Sequence, residues 1–158
     1  ILLTHGHFDH VMAVDSVRAA YHIPVYAAEA EKETMQDASI NLSINMGGAM
    51  LSIEADHWLK DGETITLLDQ EVRCILTPGH TVGGMCFYFP KAGMLFSGDT
   101  LFQESVGRTD FPGGSMSEIV RSIREKLFVL PDAVQVYPGH GLMTSIKNEK
   151  MFNPFAVE

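Results

Sequence analysis

Residues 4–10 read Thr4-His5-Gly6-His7-Phe8-Asp9-His10 and directly follow an apolar segment at the start of the chain. In extended backbone, residues two apart point to the same side, so we expect His5, His7 and Asp9 to project together. His10 falls out of this alternation, which indicates that the chain turns into a helix there. Imidazole and carboxylate groups are common zinc ligands, and closely spaced imidazoles would repel one another once protonated. Because a bound cation gives them a shared partner, the motif predicts a metal site.

Three further ligand-type residues follow apolar segments that are predicted to be strands. His80 lies in Thr77-Pro78-Gly79-His80-Thr81, His140 in Tyr137-Pro138-Gly139-His140-Gly141, and Asp99 in Ser97-Gly98-Asp99-Thr100. Strand ends are where α/β folds place their chemistry, so we expect these residues to join the first motif at one site. His22 and His57 lack such a context and are expected to be ordinary surface or helix-end residues.

The composition indicates one folded, acidic domain spanning residues 1–158. Eleven Lys and Arg stand against 20 Asp and Glu, which gives a formal net charge of −9 and argues against a nucleic-acid surface. With 46% hydrophobic and 20% charged residues the chain is not disordered. No apolar run approaches the roughly 20 residues of a membrane span, and we expect a cytoplasmic protein. Cys74 and Cys86 form no CxxC pair and are expected to be buried structural thiols.

Apolar runs alternate with turn signals, which predicts a layered α/β domain. The expected strands are Ile1–Thr4, Pro24–Ala27, Thr64–Leu68, Val72–Thr77, Met85–Phe89, Met94–Ser97 and Val134–Tyr137. The first of these begins at Ile1 with no preceding turn or cap. We therefore expect that N-terminal sequence is missing and that one sheet has an exposed edge.

Helices are expected in four places. Apolar spacing predicts one helix over His10–Tyr21, and a second begins at the capping box formed by Ser115 and Glu118. A short helix is expected over Ser145–Phe152, and the segment 29–50 is predicted to be helical until Gly47-Gly48 breaks it.

The order and types of the seven ligand residues resemble the metallo-β-lactamase fold superfamily. Within it, Gly98-Asp99-Thr100-Leu101-Phe102 and Gly107-Arg108-Thr109-Asp110-Phe111 resemble the single-domain type II glyoxalases, also called hydroxyacylglutathione hydrolases. The resemblance runs from Ile1 to about Phe155. It implies an αββα sandwich, two face-to-face sheets with helices outside, which here would be N-terminally incomplete.

The resemblance also implies a site with two divalent metal ions, most readily zinc, with iron and manganese as alternatives. By position, the first metal falls to His5, His7 and His80. The second falls to Asp9, His10 and His140, with Asp99 as the bridge between them.

The activity implied is hydrolysis of a small-molecule thioester such as a hydroxyacylglutathione. A hydroxide held between the metals would attack the carbonyl, with Asp9 orienting it as a catalytic residue. A thiol leaves as thiolate with little acid assistance, because its pKa is near roughly 8.5. Arg108 is the expected substrate-binding residue, through a substrate carboxylate, although a structural pair with Asp110 is the competing interpretation. No nucleic acid or membrane partner is expected, and the sequence leaves the oligomeric state open.

Two rival functions remain open at this point. A persulfide dioxygenase shares the fold and a Gly-Arg-Thr-Asp-Phe motif, but uses one iron held by two histidines and an aspartate. A catalytically inactive metal-binding fragment is the second rival. Other relatives fit less well, since the commonest β-lactamase subclass has cysteine at the position of Asp99 and a flavodiiron protein has glutamate at His7.

Overall fold

The computed structural model describes residues 1–156, which fold into four layers in the order helix, sheet, sheet, helix. The α-helices are α1 (Phe8–Val11), α2 (Val14–Tyr21), α3 (Lys32–Gln36), α4 (Met116–Ser122) and α5 (Ile146–Phe152). A 3₁₀ turn covers Glu29–Glu31, and π-helical turns cover Ser43–Gly47 and Ile123–Leu127. The strands are β1 (Tyr26–Ala28), β2 (His57–Leu59), β3 (Thr64–Leu67), β4 (Gln70–Leu76), β5 (Met85–Phe89), β6 (Met94–Gly98), β7 (Leu101–Phe102), β8 (Ser105–Val106), β9 (Gln135–Pro138) and β10 (Thr144–Ser145). The predicted αββα architecture is confirmed.

Within residues 1–156 the larger sheet has six strands in the order β10-β9-β6-β5-β4-β3. Its neighbours are antiparallel except for β6 and β9, which are parallel. A parallel pair needs a long crossover, and α4 with the following π-helical turn supplies it. The smaller sheet consists of β1 and β2 in parallel, and β7 pairs with β8 in a separate hairpin.

Three apolar clusters hold the layers together. Alternate residues of β5 point to opposite faces, so Met85 and Phe87 face the smaller sheet while Cys86 and Tyr88 face the helices. The cluster between the sheets contains Ala28, Leu59, Val72, Cys74, Met85 and Phe87. The cluster under α4 and α5 includes Leu95, Val136, Ile119, Ile123, Leu127 and Ile146. The cluster between the smaller sheet and α1 and α2 includes Leu3, Val25, Ala27, Val11 and Val14.

The predicted strand Ile1–Thr4 is wrong in extent. Only Leu2 forms a bridge, to Tyr26 of β1, with flanking hydrogen bonds from the Leu3 amide to Tyr26 and from the Tyr26 amide to Ile1. Beyond Leu3 the backbone leaves β1, and the Thr4 carbonyl accepts the Met85 amide at 2.8 Å instead. This departure ends the strand pairing and carries the following histidines to the end of the sheets.

The helix predicted over His10–Tyr21 is two helices, and it begins earlier, at Phe8. Alternation had placed Asp9 on extended backbone beside His7, whereas Asp9 lies in the first turn of α1. The helical hydrogen bonds are interrupted at residues 12–13. A new series begins with α2, where the Val17 amide donates to the Ala13 carbonyl.

Other expectations for the elements can be compared directly with the structure. Ser115 caps α4 by accepting the Glu118 amide at 3.3 Å, as predicted, but the reciprocal half of the capping box does not form, because the Ser115 amide donates to the Gly79 carbonyl. Ser145 caps α5 by accepting the Asn148 amide at 3.2 Å. The segment 29–50 is not one helix, because its helical pieces are short and separated. The strands β2, β7, β8 and β10 were not predicted, since two or three residues are too few for an alternating pattern.

Cysteine and histidine residues outside the predicted site behave as expected. Cys74 and Cys86 are free and buried, and burial raises the pKa of each thiol to about 11, so both stay protonated. His22 ends α2 in the left-handed conformation. His57 is exposed on β2, where its ring stacks on Tyr26 with centroids 4.4 Å apart. No helix within residues 1–156 combines the length and apolar character needed to cross a bilayer.

Candidate metal centre

The structure brings all seven predicted ligand residues together at one end of the sheets. Two come from the loop after Leu3 and two from α1, while the other three follow β4, β6 and β9. In chain order they are His5, His7, Asp9, His10, His80, Asp99 and His140. Because β6 and β9 are parallel neighbours, their carboxyl ends meet at the same edge and place Asp99 beside His140.

Three histidines form the more deeply buried group. His5, His7 and His80 are only 3%, 3% and 5% exposed, and their ligand atoms all lie within 4.8 Å of one another. His7 Nδ1 is 2.9 Å from His80 Nε2. Three imidazole nitrogens thus converge on one point from two separate loops.

The second group is closer to solvent and consists of Asp9, His10 and His140. His10 Nε2 lies 3.1 Å from His140 Nε2, which in turn lies 3.2 Å from Asp9 Oδ2. The ligand atoms of this group likewise lie within 4.8 Å of one another. The group combines two imidazole nitrogens with one carboxylate.

Asp99 lies between the two groups. Its Oδ1 atom is 3.5 Å from His10 Nε2, and its Oδ2 atom is 3.6 Å from His80 Nε2 and 3.5 Å from His140 Nε2. Asp99 also forms a group with His5 and His10. Its carboxylate therefore faces ligand atoms of both groups, as a bridge would.

Unpaired buried atoms test whether these residues fit metal ions. Within residues 1–156, His5 Nε2 and Asp99 Oδ1 are buried in the cluster without a hydrogen-bond partner. A buried polar atom left without a partner costs about 1–3 kcal/mol, so a cluster of them needs a missing partner. Nitrogen and carboxylate donors at this density suit divalent cations, and the residues fit them.

His5 and His7 are held in the protonation state that binds metals. Burial lowers the pKa of His5 well below its ordinary value, and neighbouring histidines add to the effect. Burial and His80 lower the pKa of His7 to about 4. Neutral imidazole is the ligating form, so neither ring needs to lose a proton at neutral pH before a cation binds.

The loop after β8 orients His80. Its Nδ1 atom lies 2.7 Å from the Arg108 carbonyl oxygen, and donation there leaves Nε2 as the free nitrogen facing the site. Gly107 makes this approach practicable, because a Cβ at that position would lie 1.8 Å from the Asp99 carbonyl oxygen. The sequence pattern Gly107-Arg108 thus serves the site through its backbone.

We expect Gly107→Ala to destabilise the protein by about 1–3 kcal/mol, because the added methyl forces the loop away from Asp99. Urea unfolding of the metal-free protein measures the effect. Gly93→Ala is the control, because its Cβ meets open space and only the positive φ of 62° is strained. Equal losses in the two variants would show that the close approach is unimportant.

Arg108 itself is tied to its own loop. Its Nε and Nη2 atoms donate to the two carboxylate oxygens of Asp110 at 2.9 and 2.8 Å, and its guanidinium lies 4.2 Å over the Phe111 ring. The structural pair is therefore formed, and Arg108 also lines the cavity in front of the ligand residues.

That cavity has a volume of about 310 Å³. Five of the seven ligand residues line it, namely His7, Asp9, His80, Asp99 and His140, and its other walls are mostly apolar. The walls include Phe8, Leu42, Met46, Phe102 and Phe111. Sequence reasoning missed Leu42 and Met46, because an apolar residue in an irregular segment carries no signal that distinguishes a cavity wall from core.

Comparison with known proteins agrees with the fold. The chain belongs to the metallo-beta-lactamase superfamily, whose sequence pattern matches residues 1–140. Members are metal-dependent hydrolases that bind divalent ions, often two. The probable metallo-hydrolase YqgX of Bacillus subtilis is 40% identical over 156 residues, which cover 98% of this chain and 74% of YqgX. The hydroxyacylglutathione hydrolase GloC of Haemophilus influenzae is 36% identical over 159 residues, with coverages of 98% and 74%.

Solved structures show the same similarity. The BLEG-1 B3 metallo-beta-lactamase superposes with a TM-score of 0.94 at 41% identity, covering 100% of this chain and 77% of BLEG-1. TTHA1623, solved in a di-iron-bound form, gives a TM-score of 0.85 at 36% identity, with coverages of 98% and 76%. ETHE1 from Myxococcus xanthus gives 0.78 at 28% identity, with coverages of 98% and 61%.

Proposed function

We propose that this chain hydrolyses a small-molecule thioester, of which a hydroxyacylglutathione is the best candidate. The observation that carries the proposal is the pair of ligand groups with Asp99 between them, opening into a cavity with apolar walls. The similarity to GloC supports the thioester, since that relative is a hydroxyacylglutathione hydrolase.

In this proposal His5, His7 and His80 would hold one divalent ion, and Asp9, His10 and His140 would hold the other. Asp99, whose carboxylate faces both groups, would be shared between them. Zinc is the expected metal, and the absence of cysteine among these ligands leaves iron and manganese as alternatives. Divalent ions bound there would supply Lewis acidity and hydroxide at neutral pH.

The protein's own residues supply the rest of the chemistry. Asp9 is partly exposed at the cavity, so its carboxylate can accept a hydrogen bond from the attacking water and orient it. The apolar walls surround the acyl group and limit the entry of other water. The leaving thiolate needs no proton, because a thiol pKa near roughly 8.5 makes it a good leaving group. This suits a cavity whose lining offers acidic and basic groups only among the ligands and Arg108.

We expect Arg108→Ala to raise KM for S-lactoylglutathione about 5- to 10-fold with a smaller fall in kcat, because a guanidinium that binds a substrate carboxylate acts equally before and during reaction. The backbone carbonyl that orients His80 remains in this variant. Arg121→Ala, which removes an exposed arginine paired with Glu118 on α4, is the control. An unchanged KM would leave Arg108 with only its structural pairing to Asp110.

A substrate panel tests the proposed function against its rivals. Protein loaded separately with zinc and iron is offered S-lactoylglutathione, a β-lactam, and glutathione persulfide with oxygen consumption recorded. The β-lactam is included because of the similarity to BLEG-1. The persulfide is included because a persulfide dioxygenase is the rival function that the sequence leaves open. Thioester turnover well above the other two supports the proposal. Turnover of another substrate alone replaces it, and folded, metal-loaded protein inactive on all three indicates a metal-binding role.

A further inference from the structure

A buried glutamate outside the ligand set joins the two loops that carry the histidine group. Glu31 ends the 3₁₀ turn after β1 and is 1% exposed. Its Oε1 atom accepts the Gly6 amide at 2.8 Å, and its Oε2 atom accepts the Gly83 amide at 2.7 Å. Gly6 lies between His5 and His7, and Gly83 comes three residues after His80.

Resting on the proposed two-metal function, we propose that Glu31 is a positioning residue that fixes His5 and His7 relative to His80 before a cation binds. The two oxygens of one carboxylate are a fixed distance apart, so a loop bonded to each cannot drift from the other. A preformed group binds its ion without first ordering two loops.

The surroundings of Glu31 show how closely the loops are held. A Cβ on Gly83 would lie 2.2 Å from the Glu31 amide nitrogen, so that loop packs directly on the backbone of the 3₁₀ turn. Burial raises the pKa of Glu31 to about 7, and the amides of Gly6 and Gly83 oppose this rise. Burying a carboxylate costs free energy, and both Glu31 oxygens accept hydrogen bonds from the two histidine loops.

Glu149 provides a matched comparison. It is also fully buried, and it accepts hydrogen bonds from the Glu104 amide, the Thr144 hydroxyl and the Asn153 side chain. None of these partners, within the part of the chain described, lies on the loops that carry His5, His7 and His80. Glu149 therefore anchors the fold without touching those two loops.

The test measures zinc affinity of the purified protein by competition with a chromophoric chelator, and cobalt(II) absorption as a report of ligand geometry. Glu31→Gln keeps the shape but turns an amino group toward one of the two amides. Glu31→Asp keeps the charge but is too short to reach both. We expect each to weaken the tighter zinc-binding step about 10- to 100-fold and to alter the cobalt spectrum, because the two histidine loops are no longer held together. The size is that seen when outer-shell support of a metal ligand is lost.

Glu149→Gln controls for loss of stability, and we expect it to lower the Tm while leaving zinc affinity and the cobalt spectrum unchanged. Equal zinc affinity in Glu31→Gln and the unmodified protein would overturn the proposal, as would an equal loss in Glu149→Gln.

Hydrogen exchange of the unmodified, metal-free protein gives a second test that needs no variant. The Gly6 and Gly83 amides should be protected there, and exchange at the solvent rate would contradict a preformed group. Neither readout uses thioester turnover, so the inference and the proposed function can fail separately.

Discussion

Asp99→Asn is expected to lower thioester turnover by more than about 100-fold and to reduce the bound zinc from two equivalents toward one. Losing even a residue that only supports a metal ligand lowers metal affinity or activity by about 10–100-fold, so losing a shared ligand should cost more. Asp99 faces both ligand groups, at 3.5 Å from His10 and 3.6 Å from His80. The substitution keeps the size of the side chain and removes one negative charge between the two ligand groups. Turnover and metal content measured on the same preparation separate loss of metal from loss of chemistry.

The control for Asp99→Asn is Asp69→Asn. Asp69 lies in the turn between β3 and β4 with a positive φ of 58°, a conformation that asparagine tolerates. Its charge change is the same and its position is remote from the ligand groups. Asp99→Asn protein with full metal content and at least a third of the activity would contradict the bridging assignment.

His5→Ala is expected to abolish most of the stabilisation that zinc gives and to lower turnover by more than about 100-fold. His5 Nε2 is buried without a hydrogen-bond partner within residues 1–156, so removing the ring costs the metal-free protein little polar bonding. The informative quantity is therefore the rise in Tm when zinc is added. It should be large in the unmodified protein and small in the variant.

His57→Ala is the matched control, since that exposed histidine stacks on Tyr26 and lies outside the ligand groups. It should keep the full zinc-induced rise in Tm and the full activity. A variant His5→Ala that zinc stabilises as strongly as the unmodified protein would remove His5 from the metal site.

The convergence of the candidate ligands could be predicted because their signals are local and chemically specific. Histidine directly after a Pro-Gly turn at a strand end indicates a position as well as a chemistry, and His80 and His140 lie where that pattern predicts. Asp9 shows the limit of the argument. The alternation of an extended strand predicts that Asp9 lies near His5 and His7. It does lie in the same cluster, but on the helix α1 and not on an extended strand.

The supporting residues could not be predicted, because their roles depend on tertiary contacts. Glu31 lies in a charged segment whose composition indicates solvent exposure, and only the packing of two distant loops buries it. Arg108 attracted attention for its guanidinium, whereas its clearest contact with the site is the backbone oxygen that orients His80. No side-chain pattern in a sequence reports a backbone contact of this kind.

Turnover of S-lactoylglutathione during titration of metal-free protein with zinc tests the account most directly. The account predicts that activity rises with metal and reaches its plateau at two equivalents per chain, in step with the occupancy of the two ligand groups. Folded protein that binds two zinc ions and leaves the thioester intact would contradict it, and so would a plateau at one equivalent.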